Sequence, residues 1–166
     1  SRFAQDGLNL VVTRTFNLTG PGQQATYVCS DFARQIAKAT LAGQEELTLV
    51  TGNIEVKRDF SSVEDGMRAY RELIEKGESG HIYNVCSGEG ILISRIVQML
   101  AEISGLKVQT RIDPGRLRSS EVLEVRGDPA KLKEKTGFCP GSLKSALKGL
   151  FDWWMTELSR NTPRSV

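Results

Sequence analysis

Short β-branched and apolar runs alternate with helix-period segments along this chain, in the order strand, helix, strand, helix, strand, helix, strand, helix, helix. That alternation limits the fold more than any other feature, and it predicts an α/β architecture with mostly short connections. Leu8 to Phe16, LNLVVTRTF, predicts a parallel, internal strand covered on both faces. Ser30 or Asp31 can cap a helix to about Leu41 with Phe32 and Ile36 on one face, and Glu45 to Val50 follows as a strand. Ser62 and Asp65 predict the start of a helix packing Val63, Met67, Tyr70 and Ile74. His81 to Val85 then predicts a strand, and Ile93 to Ser104 a helix burying Ile96, Val97, Leu100 and Ile103. Leu106 to Ile112 alternates as a half-exposed strand. Asp128-Pro129 opens a short helix, and a last one from Leu143 to Leu158 carries Leu147, Leu150, Phe151 and Trp154 together.

Length and charge exclude several classes of function. With 166 residues the chain can build one core, and no stretch nears the roughly 18 apolar residues of a membrane span. A formal net charge of +2 gives no strongly basic face, so neither nucleic acid nor membrane is an expected partner. Cys29, Cys86 and Cys139 lie far apart without CxxC spacing, which predicts no metal site. The opening SRFAQDG lacks the apolar stretch of a signal peptide, so a reducing, cytoplasmic compartment is expected. Having no initiator methionine, and passing from a helix-like scrap straight into a strand, the chain reads as starting inside something larger.

Candidate chemistry gathers in loops. Behind the first strand, RTFNLTGPGQ holds Asn17 beside a bend in which Gly20 and Gly22 accept unusual backbone angles and Pro21 fixes its own; a plain loop has the same signature. Arg58 beside Asp59, and Arg118 three residues before Glu121, could converge on a diphosphate, since guanidinium groups match phosphate oxygens in pairs, although solvated loop arginines are the commoner case. Ser87-Gly-Glu-Gly90 lacks the spacing of a phosphate loop and reads as a tight turn with Ser87 or Asn84 available to support a neighbouring site. His81, the only histidine, heads a strand where packing or surface roles prevail. Tyr70 and Tyr83 have no lysine four residues on, and the rings of Phe151, Trp153 and Trp154 read as core or subunit contact.

Taken in order, RTFNLTGPGQ, DFARQIAKATLAG, TGNIEVKRDFSSVEDGMRAY, GHIYNVCSGEGILISRIVQML, LRSSEVLEVRGDPAKLKEKTGF and LKGLFDWW resemble the C-terminal, substrate-binding half of extended short-chain dehydrogenases/reductases acting on nucleotide sugars. The likeness is to the GDP-mannose 4,6-dehydratases and GDP-6-deoxy-D-lyxo-4-hexulose reductases, and it covers nearly all of residues 1 to 158, leaving 159 to 166 as a flexible tail. It implies the C-terminal part of an NAD(P)-binding Rossmann-like fold, mostly a substrate-binding domain. It also implies substrate-binding roles for Asn17, Arg34, Arg58, Arg118 and Glu121, with Ser119 replacing the family's proline.

The family's glycine-rich cofactor turn, catalytic hydroxyl and Tyr-x-x-x-Lys pair would lie upstream of Ser1, with residues 1 to 5 ending the helix that follows the pair. NADP or NAD would then be bound mainly by a missing N-terminal half, and the chain alone would hold no catalytic residue. The function implied is GDP-hexose binding within an NAD(P)-dependent GDP-4-keto-6-deoxymannose reductase. A 4,6-dehydratase or epimerase, a stand-alone nucleotide-sugar module, and a structural remnant are the alternatives. The expected partners are a GDP-sugar, the missing half or a companion chain, and a further copy in a homo-oligomer.

Overall fold

The computed structural model describes residues 7–117, 120 and 122–161. Its elements run β1 (Val12–Thr15), β2 (Asn17–Thr19), α1 (Val28–Leu41), β3 (Glu46–Thr51), β4 (Lys57–Arg58), β5 (Phe60–Ser62), α2 (Val63–Lys76), β6 (Ile82–Val85), β7 (Ile91–Leu92), α3 (Ile93–Ser104), β8 (Lys107–Ile112), β9 (Glu124–Val125), α4 (Ala130–Thr136) and α5 (Leu143–Asn161). A tight helical turn, Pro114–Arg116, follows β8. Three sheets are parallel pairs, β1 with β6, β2 with β5 and β3 with β8, and β4 lies between antiparallel β7 and parallel β9. Each parallel partner is distant in sequence, because a parallel return needs a crossover, and here every crossover contains a helix.

The α/β expectation therefore holds, while the expectation of a predominantly substrate-binding domain is corrected. Parallel pairing through helical crossovers runs from β1 to β8. That is Rossmann-like architecture over nearly the whole described chain, not a few late Rossmann elements appended to another domain.

The main core lies where α1 meets α3 and α5, around Phe32, Ile36, Ile96, Leu100, Leu147 and Leu150. The apolar stripes of α3 and α5 face it, since residues three and four apart share one side of a helix. A second cluster joins Ala69 and Leu73 of α2 to Tyr83, Val85, Leu132 and Phe138. Here the expected face of α2 is corrected in part: Tyr70 packs against this cluster, but Met67 and Ile74 are 51% and 86% exposed, and Gly66, Ala69 and Leu73 face inward. Gly66 permits this, because a Cβ there would stand 2.9 Å from Leu18 Cδ1.

Local chemistry sets the helix starts. Ser62 Oγ accepts from the Asp65 amide at 2.9 Å, as its sequence predicts. Asp128 Oδ1 accepts from the Ala130 amide at 2.9 Å ahead of α4. α1 starts at Val28, so Ser30 lies inside the helix rather than capping it; its hydroxyl donates to Gln23 O and accepts from Trp154 Nε1. β1 also departs from expectation: with β6 as its one partner among the described residues, all four of its residues are exposed.

Candidate functional site

The β1–β2 segment, the start of α1 and the ends of β3 and β4 enclose a cleft of about 740 Å³. Its back is apolar, formed by Phe16, Phe32, Val56 and Ile93, and its polar groups include Asn17, Asn53, Arg58 and Arg116. Asn17 Nδ2 donates to the Asp59 carbonyl at 2.8 Å, which fixes the side-chain amide and leaves its oxygen to accept from a ligand. On the neighbouring sheet, Arg58 Nη1 donates to Lys57 O at 2.7 Å. Asn17 and Arg58 thus line one cleft.

Arg116 is a cleft residue that the sequence does not single out. Its Nη1 donates to Val50 O at 2.9 Å, and its turn lies against the end of β3. A Cβ on Gly52 would stand 3.0 Å from Arg116 O, so glycine is what allows the approach. Tyr27, 58% exposed, carries no sequence signal either; it immediately precedes α1 and lines the cleft. Arg34 lies elsewhere, in an adjoining hollow of about 470 Å³ with Asp31, Lys38 and Gln44, where its Nη2 stands 3.9 Å from Asp31 Oδ1. Arg116 lines both hollows. Arg118 and Glu121 lie outside the described residues.

Two glycine turns could be mistaken for phosphate cradles; the first is braced by the Gln23 side chain, and the donors of the second are taken from within. Between β2 and α1, Gln23 Nε2 donates to Leu18 O at 2.8 Å, and Gln23 Oε1 accepts from Thr19 Oγ1 at 3.0 Å. Around Ser87-Gly88, the Asp59 carboxylate takes the donors of the turn. The Ser87-Gly88 turn thus gives its backbone N–H groups to Asp59 rather than to a phosphate. Of Ser87 and Asn84, either of which is expected to support a neighbouring site, Asn84 donates to Asp128 O and Ser87 to Asp59.

Neither inner thiol, nor the phenols of Tyr70 and Tyr83, offers reactive chemistry to the cleft; the phenol that lines it is Tyr27. Burial pushes the Cys29 thiol up to about 12, and burial with the Asp59 charge pushes Cys86 to about 11, so neither forms the reactive thiolate near neutrality. The Tyr70 hydroxyl pairs with Thr15 Oγ1 at 2.6 Å, and Tyr83 is buried with its oxygen accepting from the Glu78 amide. His81 Nδ1 lies 3.0 Å from Glu78 Oε2, at the surface. Among the described residues no three His, Cys, Asp or Glu side chains are grouped to hold a metal ion, and no helix is long and apolar enough to cross a membrane.

A family model described as GDP-mannose 4,6 dehydratase matches residues 3–147. The chain is 38% identical over 150 residues to the GDP-6-deoxy-D-mannose reductase of Pseudomonas aeruginosa, across 90% of this chain and 49% of that protein. It is similar in structure to RMD from Pseudomonas aeruginosa complexed with NADPH, with a TM-score of 0.84, 34% identity, and coverage of 93% of this chain and 51% of that one. The UDP-glucose 4-epimerase of Thermotoga maritima with UDP-glucose matches at a TM-score of 0.80 and 28% identity, over 94% of this chain and 49% of that one. The chain thus spans about half the length of the curated relatives it matches.

These matches correct two expectations. Rossmann-like architecture of the type in GDP-sugar oxidoreductases runs through nearly the whole chain, in place of a separate C-terminal substrate-binding half. With that architecture inside the chain, NAD(P) binding is not confined to a missing N-terminal half.

Proposed function

Because this chain belongs to the GDP-mannose 4,6-dehydratase family, we propose that its cleft grips a GDP-linked hexose within NAD(P)-dependent GDP-sugar metabolism, as part of a reductase acting on GDP-4-keto-6-deoxymannose. The observation that carries this reading is the meeting of Asn17, Arg58 and Arg116, from three separate bends, around one cleft with an apolar back. Guanidinium groups brought to one cleft from different bends match the oxygens of a diphosphate in paired, charge-assisted hydrogen bonds. The Asn17 carbonyl oxygen suits a sugar hydroxyl, and the apolar back suits the flat faces of base and sugar. Binding energy from the remote nucleotide then orients the hexose, whose reacting carbon needs no contact with the groups that hold the diphosphate. Arg34, in the adjoining hollow, is assigned to the far end of the nucleotide, reached past the shared Arg116. Arg118 and Glu121 keep the roles their motif implies, an anion contact and a sugar-hydroxyl acceptor.

The supporting relative is named a GDP-6-deoxy-D-mannose reductase and is more similar in sequence than the 4,6-dehydratase of Yersinia enterocolitica, at 38% against 25% identity. Free thiols at Cys29, Cys86 and Cys139 suit a cytoplasmic setting. The exposed apolar side chains of Leu10, Val12 and Ile82 suit association with a further copy.

Titration calorimetry of the chain with GDP tests the assignment. Saturable binding is expected, weakened about tenfold or more by Arg58→Ala. Absence of binding, or wild-type affinity in both Arg58→Ala and Arg116→Ala, would overturn it.

A further inference from the structure

We propose that Asp59 is the positioning residue of this cleft, a buried carboxylate that sets the places of Asn17, Arg58 and Phe16 on one wall. The proposal rests on the reading of the cleft as a GDP-sugar site. Asp59 is completely buried, yet its side chain accepts four hydrogen bonds: Oδ1 from Ser87 N at 2.8 Å and Ser87 Oγ at 2.7 Å, Oδ2 from Gly88 N at 3.0 Å and Gly127 N at 3.1 Å. Its backbone amide donates to Val125 O at 3.0 Å, and its carbonyl accepts from Asn17 Nδ2 at 2.8 Å. One residue therefore ties together the β1–β2 segment, the turn after β6, and the chain after β9.

Converging backbone N–H groups form an anion cradle, and here the anion is supplied by the chain itself. The cradle is closely built. Gly88 has φ +85°, and a Cβ on Gly127 would stand 2.4 Å from Cys86 Sγ and 2.8 Å from Phe16 Cε2. Phe16 and Asn17 are thus fixed from two directions by the segments that Asp59 joins. With Asp59 pinned, Arg58 before it is held at the cleft and Phe60 after it in the core.

A carboxylate suits this place better than an amide, because three of its four partners are backbone N–H groups that can only donate. An amide would turn its N–H₂ toward at least one of them and leave a buried conflict. Asp59 touches no ligand in this scheme; it acts through Asn17 and Arg58.

The test uses the whole chain, with GDP as the probe. Asp59→Asn and Ser87→Ala are each titrated at a temperature where circular dichroism shows them folded, and the Asn17 side-chain amide signal is followed by NMR without ligand. The amide signal should move in both variants. GDP affinity should fall about tenfold in Asp59→Asn and less in Ser87→Ala. Arg58→Ala should cost little more in the Asp59→Asn background, because the two losses overlap. A folded variant that binds GDP like the wild type overturns the proposal, as does additive loss in the double variant. Should Asp59→Asn fail to fold, Ser87→Ala decides the question alone. If the wild type itself does not bind GDP, the functional reading fails, and an unmoved Asn17 amide in the variants then overturns the positioning role separately.

Discussion

Arg116 and Arg58 reach the cleft from different bends, and each guanidinium is already anchored through one nitrogen to a backbone carbonyl. Such anchoring lowers the entropy lost when a ligand arrives, so Arg116→Ala is expected to weaken GDP binding by about five- to thirtyfold, read by calorimetry. The pairing of Asn17 with Arg58 is implied by the family resemblance, because the glycine-proline bend and the Arg-Asp-Phe strand end are both motifs of that family, and neither segment alone points to the other. Arg116 is not legible, since nothing in a loop sequence says that this arginine turns inward. Gly52, which lets the loop approach β3, is the one signal that could point to it. Thiols give a second residue-scale expectation. Cys139 is exposed while Cys29 and Cys86 are buried, so a thiol reagent should titrate one cysteine in the native chain and three after denaturation. Burial raises both inner thiols above the ordinary range, to about 12 and about 11, so the folded state holds their protons longer than the unfolded chain does. Their contribution to stability is then complete below the unfolded thiol value of about 8.5 and lost as pH rises through the folded values, which a series of thermal melts would show as a falling midpoint.

At the scale of elements, α2 shows why a hydrophobic stripe can mislead. Val63, Met67, Tyr70 and Ile74 have good helical spacing, yet the helix turns Gly66, Ala69 and Leu73 inward, because small residues allow it to lie closer to β2 and β6. Close approach buries more neighbouring surface than the larger side chains could, and pattern alone does not report that gain. Gly66→Ala tests it. In an open helix the change stabilises by about 1 kcal/mol. Here the new methyl would press on Leu18, and a loss of about 1–3 kcal/mol in urea unfolding is expected. α3 and α5 follow their patterns because their large apolar residues do face the main core. Leu147, fully buried in that core, should cost about 2–5 kcal/mol on truncation to alanine.

Across the whole molecule, the parallel pairing explains both what the sequence reveals and what it conceals. Alternating strands and helices are enough to read α/β architecture, and the ordered motifs are enough to read the family. Which strands become neighbours, and how far each is covered, depends on contacts distant in sequence that no local pattern encodes. β1 is the clearest case: its continuous apolar run predicts cover on both faces, and instead Leu10, Val12 and Ile82 stand 38%, 41% and 41% exposed beside the β1–β6 pair. Apolar side chains grouped along a short parallel pair favour association, because covering them releases water at roughly 25 cal/mol per Å². Light scattering of the chain at increasing concentration should therefore show a rising mean mass. Lysine at two of these positions, Val12→Lys with Ile82→Lys, should hold the mass near that of one chain, since two charges desolvate poorly at an apolar contact. Because neither residue lines the cleft, GDP affinity should stay at its wild-type value in the same variant. An unchanged rise in mass would place the associating surface elsewhere, while a loss of GDP binding would show that β1 and the cleft are mechanically coupled through Thr15 and Phe16.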